Sequence, residues 1–328
     1  MNEKLIWLDN VRAIACVMVV VLHVSAIYVL KTDGFYWEIG NIVDSFTRIC
    51  VPLFFMISGY LFFSVKQVQL KNFLRLLVPL VCYSFVGLAF SFLSFKFGFI
   101  SKFNYNFIAE PLFYHLWYFY PLLVIYAISY FIQIRMVRFS IRSLILLILL
   151  LFVFCNPLVS DFFRIIFGIS FKNYFFINGD FFYYLFYALL GALTKEINVT
   201  KRQALIFLII YLVLSFLILI GTSWLHQILL YNYLNPMISF AAISFFIYLK
   251  NGFDKSNYFS DKALGVISKY SLGIYCIHAF VLLVVEKVFD IKSINPLFGI
   301  IFFSLIVLVV SIVISFLLRK IDRNGYIS

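Results

Sequence analysis

Apolar runs of roughly 18–22 residues recur along the whole chain, each long enough to cross about 30 Å of hydrocarbon as a helix. The breaks between them carry Gly, Pro, Asn, Asp or charge, as turns require. The pattern predicts ten spans, near 11–30, 43–64, 73–95, 112–133, 141–158, 179–195, 203–221, 233–250, 265–286 and 297–318. The fold class expected is all-α: a polytopic membrane bundle forming one domain over residues 1–328. The fifth and sixth spans are the weakest part of the pattern. Phe162 to Phe176 reads as a loop, an interfacial helix or a re-entrant piece. No internal repeat, low-complexity tract or appended soluble domain is visible, so any chemistry belongs to the bundle or its mouths.

Charge sets the expected orientation. With the N-terminus in the cytoplasm, 18 of the 26 Lys and Arg fall on the cytoplasmic side, 7 on the other, and Arg48 lies within a span. Cytoplasmic loops of membrane proteins carry this excess, so both termini are expected on the cytoplasmic side. Composition agrees with the pattern. The chain of 328 residues is 64% hydrophobic and 12% charged, whereas soluble domains are about a quarter charged. The net charge of +12 then reflects topology and membrane-lipid contact, with no nucleic acid implied. The five cysteines lie in apolar runs at no metal-ligand spacing, so neither disulfide nor metal is expected. The first run has no clean small-residue cleavage site after it and reads as a retained helix.

Against this background, ionisable side chains inside spans mark function. Arg12 and His23 share the first span, eleven residues apart. That is three helical turns plus about 20°, so they share a face about 16.5 Å apart along the axis. His23 lies about 18 Å into the span, and Arg48 roughly 8 Å from the outer end of the second. His115 begins the fourth span and His278 lies at mid-depth in the ninth. Arg12, Lys71 and Arg75, with Tyr60 near them, mark the cytoplasmic mouth. The layout is a basic mouth below a deep centre of His and Arg. Plainer roles exist for most of these. Arg48 can pair with Asp44 one turn earlier. Lys71 and Arg75 can be positive-inside anchors, and Trp117 and Tyr118 can belong to an interfacial aromatic belt. His226, in an outside loop, is expected to do no chemistry. The sequon Asn198-Val-Thr200 falls on the cytoplasmic side and is set aside.

Several stretches carry a resemblance. Trp7-Leu-Asp-Asn-Val-Arg12 with His23 after ten further residues resembles the first helix of the membrane-bound acyltransferase family 3. Arg48-Ile-Cys-Val-Pro-Leu-Phe-Phe-Met-Ile-Ser-Gly-Tyr60 looks like that family's second helix. His115-Leu-Trp-Tyr and Ser271-Leu-Gly-Ile-Tyr-Cys-Ile-His278 resemble two further signatures, in order. Ile177-Asn-Gly-Asp-Phe-Phe-Tyr-Tyr184 and Ile321-Asp-Arg-Asn324 look like members that acetylate enterobacterial common antigen. One departure stands out. The family's arginine pair at the start of the third helix is here Lys71-Asn-Phe-Leu-Arg75, with Asn72 at the first arginine position.

The resemblance implies an acyl-CoA-dependent O-acetyltransferase of a bacterial inner membrane. It would move acetyl from cytoplasmic acetyl-CoA to a sugar hydroxyl, that of N-acetylglucosamine in a surface polysaccharide such as enterobacterial common antigen, or in its lipid-linked precursor. In that reading His23 and Arg48 are catalytic; Arg12, Lys71, Arg75 and Tyr60 bind the donor; and His115, Trp117, Tyr118, Tyr275 and His278 line the outer half and bind sugar. Glycan-assembly proteins would be natural partners. The competing class is a transporter or flippase for an anionic or sugar-containing substrate, since buried His and Arg also line translocation paths.

Overall fold

The computed structural model describes residues 5–96, 111, 113–134, 140–169, 175–226, 228–252, 258–322 and 325–327. Lys4, Lys102, Arg135, Arg138, Lys172, Lys255 and Arg323, all counted in the charge balance, lie outside the described residues, as does Asn324. Helices run Ile6–Lys31 (α1), Gly34–Thr47 (α2), Cys50–Gly59 (α3), Leu70–Lys96 (α4), Phe119–Phe131 (α5), Ile141–Phe154 (α6), Pro157–Phe167 (α7), Asp180–Leu193 (α8), Lys201–Leu225 (α9), Pro236–Gly252 (α10), Tyr258–Val288 (α11) and Pro296–Ile321 (α12). A π-helix, Tyr60–Val65, continues α3, and a 3₁₀ segment, Tyr114–Tyr118, leads into α5. No strand occurs among the described residues.

Among the described residues, six helical stretches are long and apolar enough to cross a bilayer: α1, Gly34–Val65, Leu70–Leu93, α9, Lys262–Val288 and α12. The pair α6 and α7, bent by 51° at their break, makes a seventh if taken as one span. The expected spans near 112–133, 179–195 and 233–250 are α5, α8 and α10, of 13, 14 and 17 residues. Each falls short of the ~20 residues that a crossing needs. The structure thus gives six or seven full-length candidates where the apolar pattern suggests ten. The uncertain stretch from Phe162 is helical as far as Phe167. There Gly168 closes α7 in the left-handed conformation at φ 68°, while Asn156 caps its start ahead of Pro157. The set-aside sequon has a structural job, because Thr200 forms a capping box with Gln203 at the start of α9.

Arg48 is placed differently from the apolar pattern. The helix of the second span begins at Gly34, nine residues before the apolar window, because Phe35–Asn41 is helical too. Arg48 is therefore about 21 Å from that end. It sits at the break between α2 and α3. Pro52 explains the break: it has no N–H to give the Arg48 carbonyl and its ring crowds that carbonyl.

Two packing relations fix the centre. First, α1 and α11 run side by side and parallel at a constant offset. Arg12 meets Ser268 at 3.3 Å, Cys16 meets Ser271 at 3.9 Å, His23 meets His278 at 3.2 Å, and Lys31 pairs with Glu286. Second, α3 and α8 touch backbone to backbone. A Cβ on Gly59 would lie 1.8 Å from the Ala188 carbonyl oxygen, and one on Gly191 would lie 2.1 Å from that of Met56. Small residues permit such approach between membrane helices. Gly191→Leu is therefore expected to separate α3 from α8 and cost several kcal/mol, on the order of an overpacked core or more. Thermal unfolding in detergent, followed by size exclusion, checks this. A variant that melts like wild type would show that the contact bears no load.

Candidate active site

At the Arg12 end the bundle opens into a cavity of about 1000 Å³. Leu5 and Gly325 both line it, so it lies at the end where α1 begins and α12 stops. Among the described residues its wall carries Arg12, Lys66, Arg75, Lys269 and Arg319 against one carboxylate, Asp9. Arg12 is half-buried, and its Nη1 donates to Asp9 Oδ1 at 2.7 Å and to Ser268 Oγ at 3.3 Å. Ser268 in turn donates to the same carboxylate oxygen at 3.1 Å. Asp9 is thus committed to Arg12 and Ser268, leaving the other cations to crowd one another. Partial burial, with repulsion from Arg12, Lys71 and Arg75, holds the Lys66 ammonium below the usual lysine range. A field of this sign attracts anions.

One face of α11 runs from this mouth inward. Ser268, Ser271, Leu272 and Tyr275 line the cavity at three- and four-residue spacing, and His278 is the next step on that face. Tyr118 forms the wall beside Tyr275 at the deep end, with ring centroids 5.6 Å apart. Tyr275 and Tyr118 therefore belong to the cavity that opens at the Arg12 end, where the outer half was expected. His278 lies about 4.5 Å further along the axis.

His278 is fully buried and meets His23. The carbonyls around them fix the proton positions of the neutral rings. His278 Nδ1 faces the Tyr275 carbonyl at 2.7 Å and that of Ile274 at 3.1 Å. Carbonyls only accept, so Nδ1 carries the proton and Nε2 the lone pair. His23 Nδ1, 3.2 Å from that lone pair and 2.9 Å from the Val19 carbonyl, then carries the proton as well. The lone pair of His23 is left on Nε2. This is the arrangement of a base held by an orienting partner.

His115 stands behind this pair, 2% exposed, its ring 5.3 Å from that of His278. Its Nε2 meets the Cys276 carbonyl at 3.1 Å, and the Tyr275 hydroxyl donates back to the His115 carbonyl. These reciprocal bonds clamp the 3₁₀ segment onto α11. Among the described residues His115 Nδ1 has no partner.

Not every expected residue joins. Lys71 is exposed and outside the cavity wall, where Asn72 takes the place beside Arg75. Tyr60 is buried edge-on against Trp7, with centroids 5.0 Å apart, and also lies outside the wall. Trp117 stacks on Tyr233 at 5.9 Å. Arg48 belongs to a second cavity, of about 820 Å³, at the opposite end of α1. There its Nε and Nη2 grip both carboxylate oxygens of Asp44, and its guanidinium lies 4.5 Å over the Tyr231 ring. The i, i+4 partnership foreseen as the plainer role of Arg48 is formed.

Lys66, Lys269 and Arg319 were missed as site residues. The basic excess at span ends had already accounted for them as topology signals.

Residues 5–320 match a family model described as an acyltransferase domain. No curated protein and no solved structure matches the chain. With that match covering nearly its whole length, this many-helixed membrane protein belongs to the acyltransferase family 3 and is an acyltransferase.

Proposed function

We infer that the protein is an O-acetyltransferase that takes acetyl from cytoplasmic acetyl-CoA and passes it to a sugar hydroxyl. The acceptor we infer is N-acetylglucosamine in a surface polysaccharide such as enterobacterial common antigen, or its lipid-linked precursor. What carries the reading is a cation-rich cavity whose α11 wall, Ser268 to Tyr275, shares a helix face with His278, the partner that places the lone pair of His23. Coenzyme A suits that path, being polyanionic at its nucleotide end and thin along its pantetheine arm. Arg12, Lys66, Arg75 and Arg319 would hold the phosphates at the mouth. The thioester would reach towards His23 past Tyr118 and Tyr275.

The chemistry follows from the proton positions. His23 Nε2 takes the proton of the sugar hydroxyl as its oxygen attacks the thioester carbonyl. The tetrahedral intermediate collapses with cleavage of the carbon–sulfur bond. The imidazolium returns the proton to the departing thiolate, giving the sugar ester and free coenzyme A.

Purified protein with acetyl-CoA and an N-acetylglucosamine-containing acceptor tests this by thiol release and by the mass of the acceptor. Release dependent on both acceptor and His23 is the expected result. Translocation of the sugar with no thioester cleavage would replace the reading with the transporter one.

A second expectation concerns the mouth. Arg12→Ala should raise KM for acetyl-CoA about tenfold or more, the scale of one lost charge-assisted hydrogen bond, with a smaller change in kcat. Lys66→Ala and Arg319→Ala should each raise it less, and added salt should weaken donor binding. Initial-rate kinetics across donor concentrations check all three, and an unchanged KM in all three would move the donor elsewhere.

A further inference from the structure

The second cavity lies between the far end of α1, the α2 helix and the turn joining α9 to α10. We propose that it is the acceptor subsite, holding a neutral pyranose against the joined Trp37 and His226 rings with its hydroxyls on Arg48 and Asn232. This rests on the acyltransferase reading above and adds residues that neither the family match nor the motifs point to.

The argument begins with α2. Glu38, Asn41, Asp44 and Arg48 recur at three- and four-residue spacing, a polar stripe on one face. Asn41 and Asp44 are fully buried. The stripe continues into a network. Tyr231 donates to Asn41, Asn41 donates to Ser223 at 2.8 Å, and Ser223 donates to Glu38 at 2.8 Å. Polar groups at this density are costly inside a membrane bundle and tend to line wet, working cavities. The floor selects for a neutral ligand, because Asp44 cancels the Arg48 charge while the guanidinium keeps further N–H donors.

The entrance has the complementary chemistry. The Trp37 and His226 rings meet in a tilted contact, centroids 5.7 Å apart, and form one aromatic wall. His226 closes α9 in the left-handed region at φ 47°, where Gly or Asn is usual. The chain thus holds a ring-bearing residue in a backbone position that seldom takes one. An aromatic wall above hydrogen-bonding groups matches a sugar ring, which has apolar C–H faces and a polar edge. The placement also suits the reaction: α1 carries residues of one cavity at Asp9 and Arg12, residues of the other at Ala26 and Val29, and His23 between them.

The test uses the full chain in lipid nanodiscs with methyl N-acetylglucosaminide as probe. Trp37→Leu and His226→Asn, which keeps a residue suited to the left-handed cap, should each raise acceptor KM about tenfold. KM for acetyl-CoA should stay unchanged, and Trp37→Phe should restore most of the affinity. Equal acceptor KM in wild type, Trp37→Leu and His226→Asn would overturn the assignment. So would quenching of Trp37 fluorescence by brominated acyl chains that the sugar fails to relieve, since lipid would then own the cavity. Thiol release at saturating acceptor separates this proposal from the one it rests on. If it depends on His23 and survives in Trp37→Leu, the acyltransferase chemistry stands whatever the acceptor kinetics show. If wild type releases no thiol yet binds the sugar through Trp37, the subsite stands and the donor chemistry falls.

Discussion

His23→Ala is expected to lower the rate of acyl transfer by about 10³-fold or more, the upper range for loss of a positioned general base. The expectation comes from the directionality of the histidine pair. Two carbonyls place the proton on His278 Nδ1, so the lone pair of His278 Nε2 draws the His23 proton to Nδ1. Nε2 of His23 is then the basic atom, just beyond the Tyr275 end of the cavity. Alanine removes it and supplies no substitute. Folding should survive, because His23 is only half-buried and the α1–α11 register is also set by Arg12–Ser268, Cys16–Ser271 and Lys31–Glu286. Membrane insertion, thermal unfolding and acetyl-CoA binding should match wild type, while thiol release and glycan acetylation fall to background. Full activity in this variant would remove His23 from the chemistry and with it the mechanism.

The parts of this site that the sequence makes legible are those carried on single helices. Arg12 and His23 share a face by spacing alone, and α1 proves to be one unbroken helix across both. The break at Arg48 was also readable in principle, from a proline four residues later. The apolar window nevertheless misjudged the depth of Arg48, because it started where hydrophobicity rises and not where the helix begins. Polar residues on α2 face a buried network, so the helix extends through a stretch that hydropathy alone treats as loop. Relations between helices were not legible. Nothing in the separate segments says that α1 and α11 lie parallel with His23 level with His278. The charge excess at span ends likewise hides which of many lysines and arginines share a cavity. Lys71 and Asn72 are neighbours in sequence, yet Asn72 reaches the wall and Lys71 does not. Short helices such as α8 were read as full spans for a related reason. Their backbones are sheltered by close packing, as at Gly59 and Gly191, and not by crossing the full thickness of lipid.

His278 provides the sharper test of how His23 works. The site gives it a positioning role: its Nε2 accepts a hydrogen bond from the Nδ1–H of His23 and so keeps the other nitrogen of His23 free. His278→Leu, similar in volume, should fold normally but lower kcat on the order of ten- to a hundredfold, as loss of an orienting partner does at other sites. The loss should be smaller than for His23→Ala because the Val19 carbonyl, 2.9 Å from His23 Nδ1, still holds that proton. KM for donor and acceptor should change little, since His278 is fully buried and touches neither cavity. His278→Gln separates positioning from packing. Its amide oxygen reaches about as far as the imidazole Nε2 and accepts a hydrogen bond, so it should restore much of kcat. A purely structural role predicts that leucine, the better apolar filler, is the milder change and that thermal unfolding tracks activity. The orienting role predicts the reverse order in kcat with no such tracking. Equal losses in both variants would show that the His23–His278 contact does not direct the proton, and the base would then be oriented by Val19 alone.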